Sequence, residues 1–195
     1  MLSRRSLIAL GAGAAISSRF SRLQAAEIPA PVLGDDGLYH QPWFLDSFLE
    51  LKDDLEETTQ KNKRFAVFWE LKGCPYCKET HFVNFARPDI NKFVRENFEI
   101  VQLNLLGSRT VTDFDGEEMS EKALAKKYGV RFSPTIQFFP ADGAKLAGLS
   151  PRKRVVASIR GYIKPDDFLA MFKFVKSESY KTMPFRKYLK AARSS

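Results

Sequence analysis

Phe65-Ala66-Val67-Phe68-Trp69-Glu70-Leu71-Lys72-Gly73-Cys74-Pro75-Tyr76-Cys77-Lys78 is the stretch that decides the fold. Five successive apolar residues, 65–69, predict a short central strand buried on both faces. The chain's two cysteines follow, spaced Cys-x-x-Cys. Pro75 suits the first turn of a helix, because its missing N–H would have no partner there. The expected order is strand, tight turn, then a helix with Cys74 at or just before its N-terminus and Cys77 one turn below.

That placement gives the pair a chemistry. The thiolate is the nucleophile in disulfide exchange, so the reactive cysteine needs a lowered pKa. Orphan N–H groups and the positive end of the helix dipole favour an anion at Cys74. Lys72 and Lys78 add positive potential. Cys74 is therefore expected to attack a disulfide, and Cys77 to resolve the mixed disulfide. A purely structural bridge would close so short a loop that it would constrain the unfolded chain little. Neither His40 nor His81 has the spacing of a zinc ligand, and Lys78 stands where haem attachment needs a histidine. No metal and no cofactor are expected.

Working outward, residues 27–42 hold Pro29, Pro31, Gly34, Gly37 and Pro42 and read as an extended lead-in. Phe44, Leu45, Phe48, Leu51 and Leu55 fall at helical spacing and predict a helix over 43–61. The helix after Cys77 is punctuated at Pro88-Asp89, with a second segment running to Asn97. Residues 99–105 read as a strand and 107–119 as a loop or small hairpin. Ser120 is a plausible N-cap for a helix over 121–128 that Gly129 ends. Residues 136–139 form the next strand, and 154–159 return beside it after the turn signal Asp142-Gly143. Gly161 closes that strand, and Pro165-Asp166-Asp167 opens a last helix through Phe168, Leu169, Phe172 and Val175. Phe65, Phe68, Phe138 and Phe139 are assigned to the core.

This order, with Phe68-Trp69, Cys74-Pro75-Tyr76-Cys77-Lys78, the stretch Tyr128 through Thr135 and Gly161, resembles the thioredoxin family over residues 43–178. The implied fold is α/β, a central mixed β-sheet flanked by helices. Within the family, GCPYCK, TVTDFDGEEMSEKALAKKYGV and SPTIQFF resemble the exported SoxW-type thioredoxins of sulfur oxidation. The resemblance implies that Pro134 is cis and packs beside the cysteines, and that Ser133 offers backbone hydrogen bonds to an extended substrate. Pro75, Tyr76 and Trp69 are expected to border the substrate groove. Thioredoxins usually place a buried Asp six residues before the first cysteine; Phe68 stands there instead. Glu70, on the same strand face by period-two counting, is either a substitute proton acceptor or a solvated residue at the strand end. His81 shares a helix face with Cys77 and reads as an ordinary helix residue, a proton shuttle being the alternative. The Pro-Tyr pair between the cysteines is the glutaredoxin one and is expected to tune the reduction potential.

Composition bounds the rest. The 195 residues, 44% hydrophobic and 28% charged, suit one soluble domain and exclude low-complexity classes. Ser3-Arg4-Arg5, an apolar stretch from Leu7 to about Ile16 and Ala25-Ala26 resemble a twin-arginine export signal over residues 1–26. The expected location is periplasmic, with the signal removed. Loss of the signal takes four arginines from a net charge of +8. Residues 151–195 carry 12 Lys+Arg against 3 Asp+Glu. The basicity thus sits in the signal and the C-terminal part, not across the fold, which argues against nucleic-acid binding. Residues 179–195 read as a solvated basic tail, with a small extra helix or docking to an acidic partner or membrane surface as alternatives.

The leading expectation is an exported, monomeric thiol–disulfide oxidoreductase acting as a reductase. The resemblance implies a membrane thiol–disulfide electron carrier as donor and a protein disulfide as acceptor, a sulfur-carrier protein in sulfur-oxidising systems. The alternatives are a protein-disulfide oxidant or isomerase, and a non-catalytic thioredoxin-like binding module.

Overall fold

The computed structural model describes residues 28–194. The export signal expected over residues 1–26 lies outside them. The lead-in forms a small antiparallel hairpin of β1 (Val32–Leu33) and β2 (Tyr39–His40). Its turn holds Gly37 at φ 77°, with the Lys72 side chain lying across it where a Cβ would collide. Then come α1 (Leu51–Gln60), β3 (Arg64–Glu70), α2 (Pro75–Glu79), a π turn (Thr80–Asn84), α3 (Pro88–Asn97) and β4 (Phe98–Asn104). A hairpin of β5 (Thr110–Thr112) and β6 (Glu118–Ser120) precedes α4 (Glu121–Lys127). The second half holds β7 (Thr135–Phe138), α5 (Pro151–Arg154), β8 (Ala157–Arg160), α6 (Pro165–Lys176) and α7 (Phe185–Arg193).

The main sheet runs β4-β3-β7-β8. β3 and β4 are parallel, and β7 is antiparallel to both of its neighbours. This is the mixed sheet flanked by helices that the sequence implied. β3 is central, and its alternation serves two cores. Phe65, Val67 and Trp69 pack with Leu51 and Leu55 of α1 and Leu124 of α4. Ala66 and Phe68 pack with Ile90 and Val94 of α3 and Phe168 and Phe172 of α6. Burial on both faces explains the unbroken apolar run.

Helix starts follow their sequence signals. Pro75, Pro88 and Pro165 each open a helix. Ser120 Oγ accepts from the Ala123 N–H at 3.2 Å, and Gly129 ends α4 at φ 66°. The helix expected over 43–61 is shorter and starts at Leu51. Leu49 sits at φ 65°, a left-handed conformation that no α-helix passes through. The preceding segment gives its hydrogen bonds to strands: Leu45 N–H donates to Ile100 at 3.0 Å, and Leu49 C=O accepts from Thr112 at 2.9 Å. Phe48, counted on the apolar face, is 96% exposed.

Arg154, expected in the returning strand, ends the one-turn helix α5 and is buried. Its guanidinium donates to Asp113 at 2.8 Å and to Asp115 at 2.7 Å. It also donates to the carbonyls of Leu146, Ala147 and Leu149 in the loop before α5. Lys127 joins the same carboxylates. The strand therefore starts three residues later. The basic tail is folded rather than solvated: Phe185 and Tyr188 of α7 pack on Phe174 of α6 at 5.4 and 5.2 Å between ring centroids.

Asp54 in α1 accepts from Ser47 Oγ at 2.6 Å, yet burial pushes its carboxyl up to about 6. A folded-state pKa above the unfolded value means the folded chain binds more protons between about pH 4 and 6. Stability attributable to this group falls as pH rises through that window. Asp54→Asn removes the titration. The stability of the parent minus that of the variant, from urea unfolding, should drop by about 1–2 kcal/mol from pH 4 to pH 7, solvent screening included. Parallel pH curves for the two proteins would contradict this.

Candidate active site

The carboxyl end of β3 leads through Leu71 and Lys72 to Gly73, whose φ of 74° turns the chain into α2. Cys74 is the N-cap of that helix, with extended φ/ψ of −74° and 114°. Its Sγ accepts from the Cys77 N–H at 3.1 Å, so a sulfur takes the place of the usual capping oxygen. Cys74 and Cys77 are joined as a disulfide, with Cα atoms 5.3 Å apart. Cys77 is 4% exposed, whereas Cys74 is half-buried. The two sulfurs therefore differ in reach: an incoming group meets Cys74 first.

Between the end of β3 and the π turn after α2 lies a buried polar network that the sequence showed only in pieces. Glu70 is 1% exposed. Both of its oxygens stand 3.0 Å from His81 Nε2, and Gln102 Nε2 donates to Oε2. Gln41 Nε2 lies 3.2 Å from His81 Nδ1, while Gln41 Oε1 accepts from Trp43 Nε1 at 3.1 Å. An indole N–H only donates, so Trp43 fixes which end of the Gln41 amide faces His81. The amide then donates to Nδ1, which leaves the histidine proton on Nε2, directed at Glu70. The imidazole is enclosed by Phe44, Phe68 and Phe85, at 5.5 to 6.0 Å between ring centroids.

Glu70 is thus not a solvated strand end, and His81 is its buried partner in the π turn. The π turn places His81: Phe85 N–H reaches back five residues to Thr80 at 3.0 Å. Asn84 and Asn91 tie that turn to the Ile163 and Phe85 carbonyls. Gln41 and Gln102 carry no sequence signal of their own. Gln41 sits in a proline-rich lead-in, and its partner is forty residues away.

The other expected residues divide. The Ser133–Pro134 bond is cis. Trp69 pairs with Thr135 across β3 and β7, which brings Pro134 to the same end of the sheet as the cysteine turn. Pro134 C=O accepts from Gly161 N–H at 2.7 Å. Pro75 is exposed at the first helical position. Tyr76 is 57% exposed and stacks on Tyr162, with centroids 6.3 Å apart. Trp69, expected at the groove's edge, is instead 1% exposed and donates its indole N–H to Gln137 at 3.0 Å. It is a core residue because β3 is buried on both faces. Lys78 lies over the rings of Tyr39 and Phe82 at 5.7 Å, close to the start of α2. Lys72 folds back over Gly37.

The profile of the Thioredoxin-like domain family matches residues 51–176. The chain belongs to this thioredoxin-like family. Members are generally thiol–disulfide oxidoreductases. No curated protein sequence matches. Among solved structures, a thioredoxin-fold protein from Helicobacter pylori is 19% identical with a TM-score of 0.52, over 68% of this chain and 86% of that one. The DsbD C-terminal domain of Neisseria meningitidis, oxidised form, is 18% identical with a TM-score of 0.43, over 64% and 92%. These likenesses concern the fold.

Replacing Glu70 by Gln keeps the shape and removes the carboxylate. Disulfide exchange at pH 7 should slow by about 100-fold or more, in the range of one acid–base group. The deficit should shrink as pH rises and solvent base takes over. A deficit that is equal at every pH would show that Glu70 only supports the packing.

Proposed function

We propose that this protein is an exported, periplasmic thiol–disulfide oxidoreductase of the SoxW type that reduces protein disulfides. The observation that carries the reading is the Cys74–Cys77 disulfide at a helix start, with Cys74 accessible and Cys77 buried. Export is supported by Ser3-Arg4-Arg5 and the apolar stretch that follows.

In the reduced protein the Cys74 thiolate attacks one sulfur of a substrate disulfide. The Cys74–substrate bond forms, and the other substrate sulfur leaves as a thiolate. Cys77 then loses its proton and attacks Cys74 Sγ. The Cys74–Cys77 bond forms, and the second substrate thiol departs. Two electrons pass to the substrate, and the protein ends in the disulfide state seen in the structure. Glu70, oriented by the His81 N–H, is the proton acceptor for Cys77. Tyr76 and the Ser133–Pro134 turn hold the extended substrate beside Cys74. A membrane dithiol carrier returns the two electrons, and the acceptor is a secreted protein disulfide, in sulfur oxidation that of a sulfur-carrier protein. The protein works as a monomer.

The roles of the two cysteines separate in variants. Reduced Cys77→Ser should accumulate a mixed disulfide with a disulfide-containing protein, resolved by added dithiol and visible as a mass increase. Cys74→Ser should lose exchange by a factor of at least about 1,000, as expected when a nucleophile is removed. Exchange by Cys74→Ser at the parent rate would overturn the reading and favour a non-catalytic binding module.

A further inference from the structure

β7 and β8 meet the loop after α4 and the segment after α5 at one side of the sheet. A groove of about 750 Å3 lies there. Its floor is built from cross-strand neighbours, Thr135 beside Arg160 and Gln137 beside Ser158. The loop after α4 forms one wall and the segment after α5 the other. β8 is the outer strand of the main sheet.

Three arginines line this groove: Arg131, Arg152 and Arg160. All three are exposed. No lining residue is acidic. Among the described residues, none of the three guanidinium groups has a hydrogen-bond or ion-pair partner, whereas most other arginines are paired. The nearby acids are already engaged. Asp113 and Asp115 are taken by Arg154 and Lys127, and Glu117 by Lys127. Three unpaired cations around one concavity repel one another, and an anionic occupant would relieve that. Guanidinium forks match carboxylates in particular.

The groove also touches the site. Phe132 and Thr135, which bracket Ser133–Pro134, belong to its lining. Phe132 is 61% exposed. Gly161, next to Arg160, donates to Pro134 C=O. An extended chain held at the cis-proline turn therefore continues naturally into the arginine groove. The space is far larger than a single small anion needs, since one water occupies about 30 Å3 of liquid.

We propose that this groove docks an acidic, extended segment of the protein whose disulfide is exchanged at Cys74. The proposal rests on the oxidoreductase reading above and gives its substrate a charge signature. Such docking acts mainly on encounter and is weakened by salt.

The test uses the full chain and three peptides that share one disulfide loop, flanked on one side by four glutamates, four glutamines or four lysines. Bis(2-hydroxyethyl) disulfide, which has no flank, reports the thiol chemistry alone. Parent and the Arg152→Gln/Arg160→Gln double variant are compared. The parent should prefer the glutamate peptide over the glutamine peptide by about 10-fold in kcat/KM at low salt, the scale of electrostatic steering. The preference should fall towards unity as salt rises, and to about 2-fold in the double variant. Equal rates for the three peptides, or a preference unchanged in the double variant, would overturn the docking site. So would relief of the glutamate preference by low millimolar inorganic sulfate at constant ionic strength, which would mark a small-anion site.

Failure of the parent to reduce bis(2-hydroxyethyl) disulfide would instead sink the oxidoreductase reading. The docking claim then stands or falls on binding: a labelled glutamate peptide with serines for its cysteines should bind the parent more tightly than the double variant. Equal binding would overturn it.

Discussion

A carboxylate at the end of a strand buried on both faces must find its hydrogen bonds inside the protein. Leaving it unpaired would cost several kcal/mol. Glu70 is that group, and three separate parts of the chain converge on it. The π turn brings His81, β4 brings Gln102, and the lead-in brings Gln41 to hold His81 from its other side. Gln102 also donates to the Tyr39 carbonyl at 2.9 Å, which fastens the lead-in hairpin to the sheet. The same network that satisfies Glu70 therefore fixes the orientation of the first turns after Cys77.

The sheet supplies the other half of the arrangement. Because β3 is central and apolar on both sides, its carboxyl end is a fixed point from which Gly73 turns the backbone into α2. Cys74 then caps a helix and Cys77 faces inward. The antiparallel register of β7 sets the cis Ser133–Pro134 turn at the same end. The disulfide, the Glu70–His81 pair and the cis Ser133–Pro134 turn are thus positioned by one strand and its neighbours. The groove carrying Arg131, Arg152 and Arg160 lies beside β7 and β8 of the same sheet.

Much of this was legible in the sequence because its causes are local. The apolar run of β3, the prolines that open three helices and the Ser120 cap act over a few residues. The parts that differ from expectation depend on distant partners. Residues 43–50 have helical spacing, but Leu49 is left-handed and the segment bonds to β4 and β5. Arg154 has the pattern of a strand residue; its burial is possible only because Asp113 and Asp115 reach it from the β5–β6 turn. The tail has the charge of a solvated segment, yet Phe185 and Tyr188 give α7 an apolar stripe that Phe174 covers. In the site, the cysteine pair and Pro134 were readable as motifs. Glu70 and His81 were each visible, but their pairing needed the turn between them. Trp69 belongs to the core and not to the groove, because β3 stays covered on both faces up to its carboxyl end.

The reduction potential of the Cys74–Cys77 pair tests the central claim most directly. The protein would be equilibrated with dithiol and glutathione buffers and its free thiols counted by alkylation and mass. The account predicts a value near the reducing end of this fold, about −270 mV, so that a membrane donor can drive reduction of secreted disulfides. A value near about −120 mV would make the protein an oxidant and contradict the account.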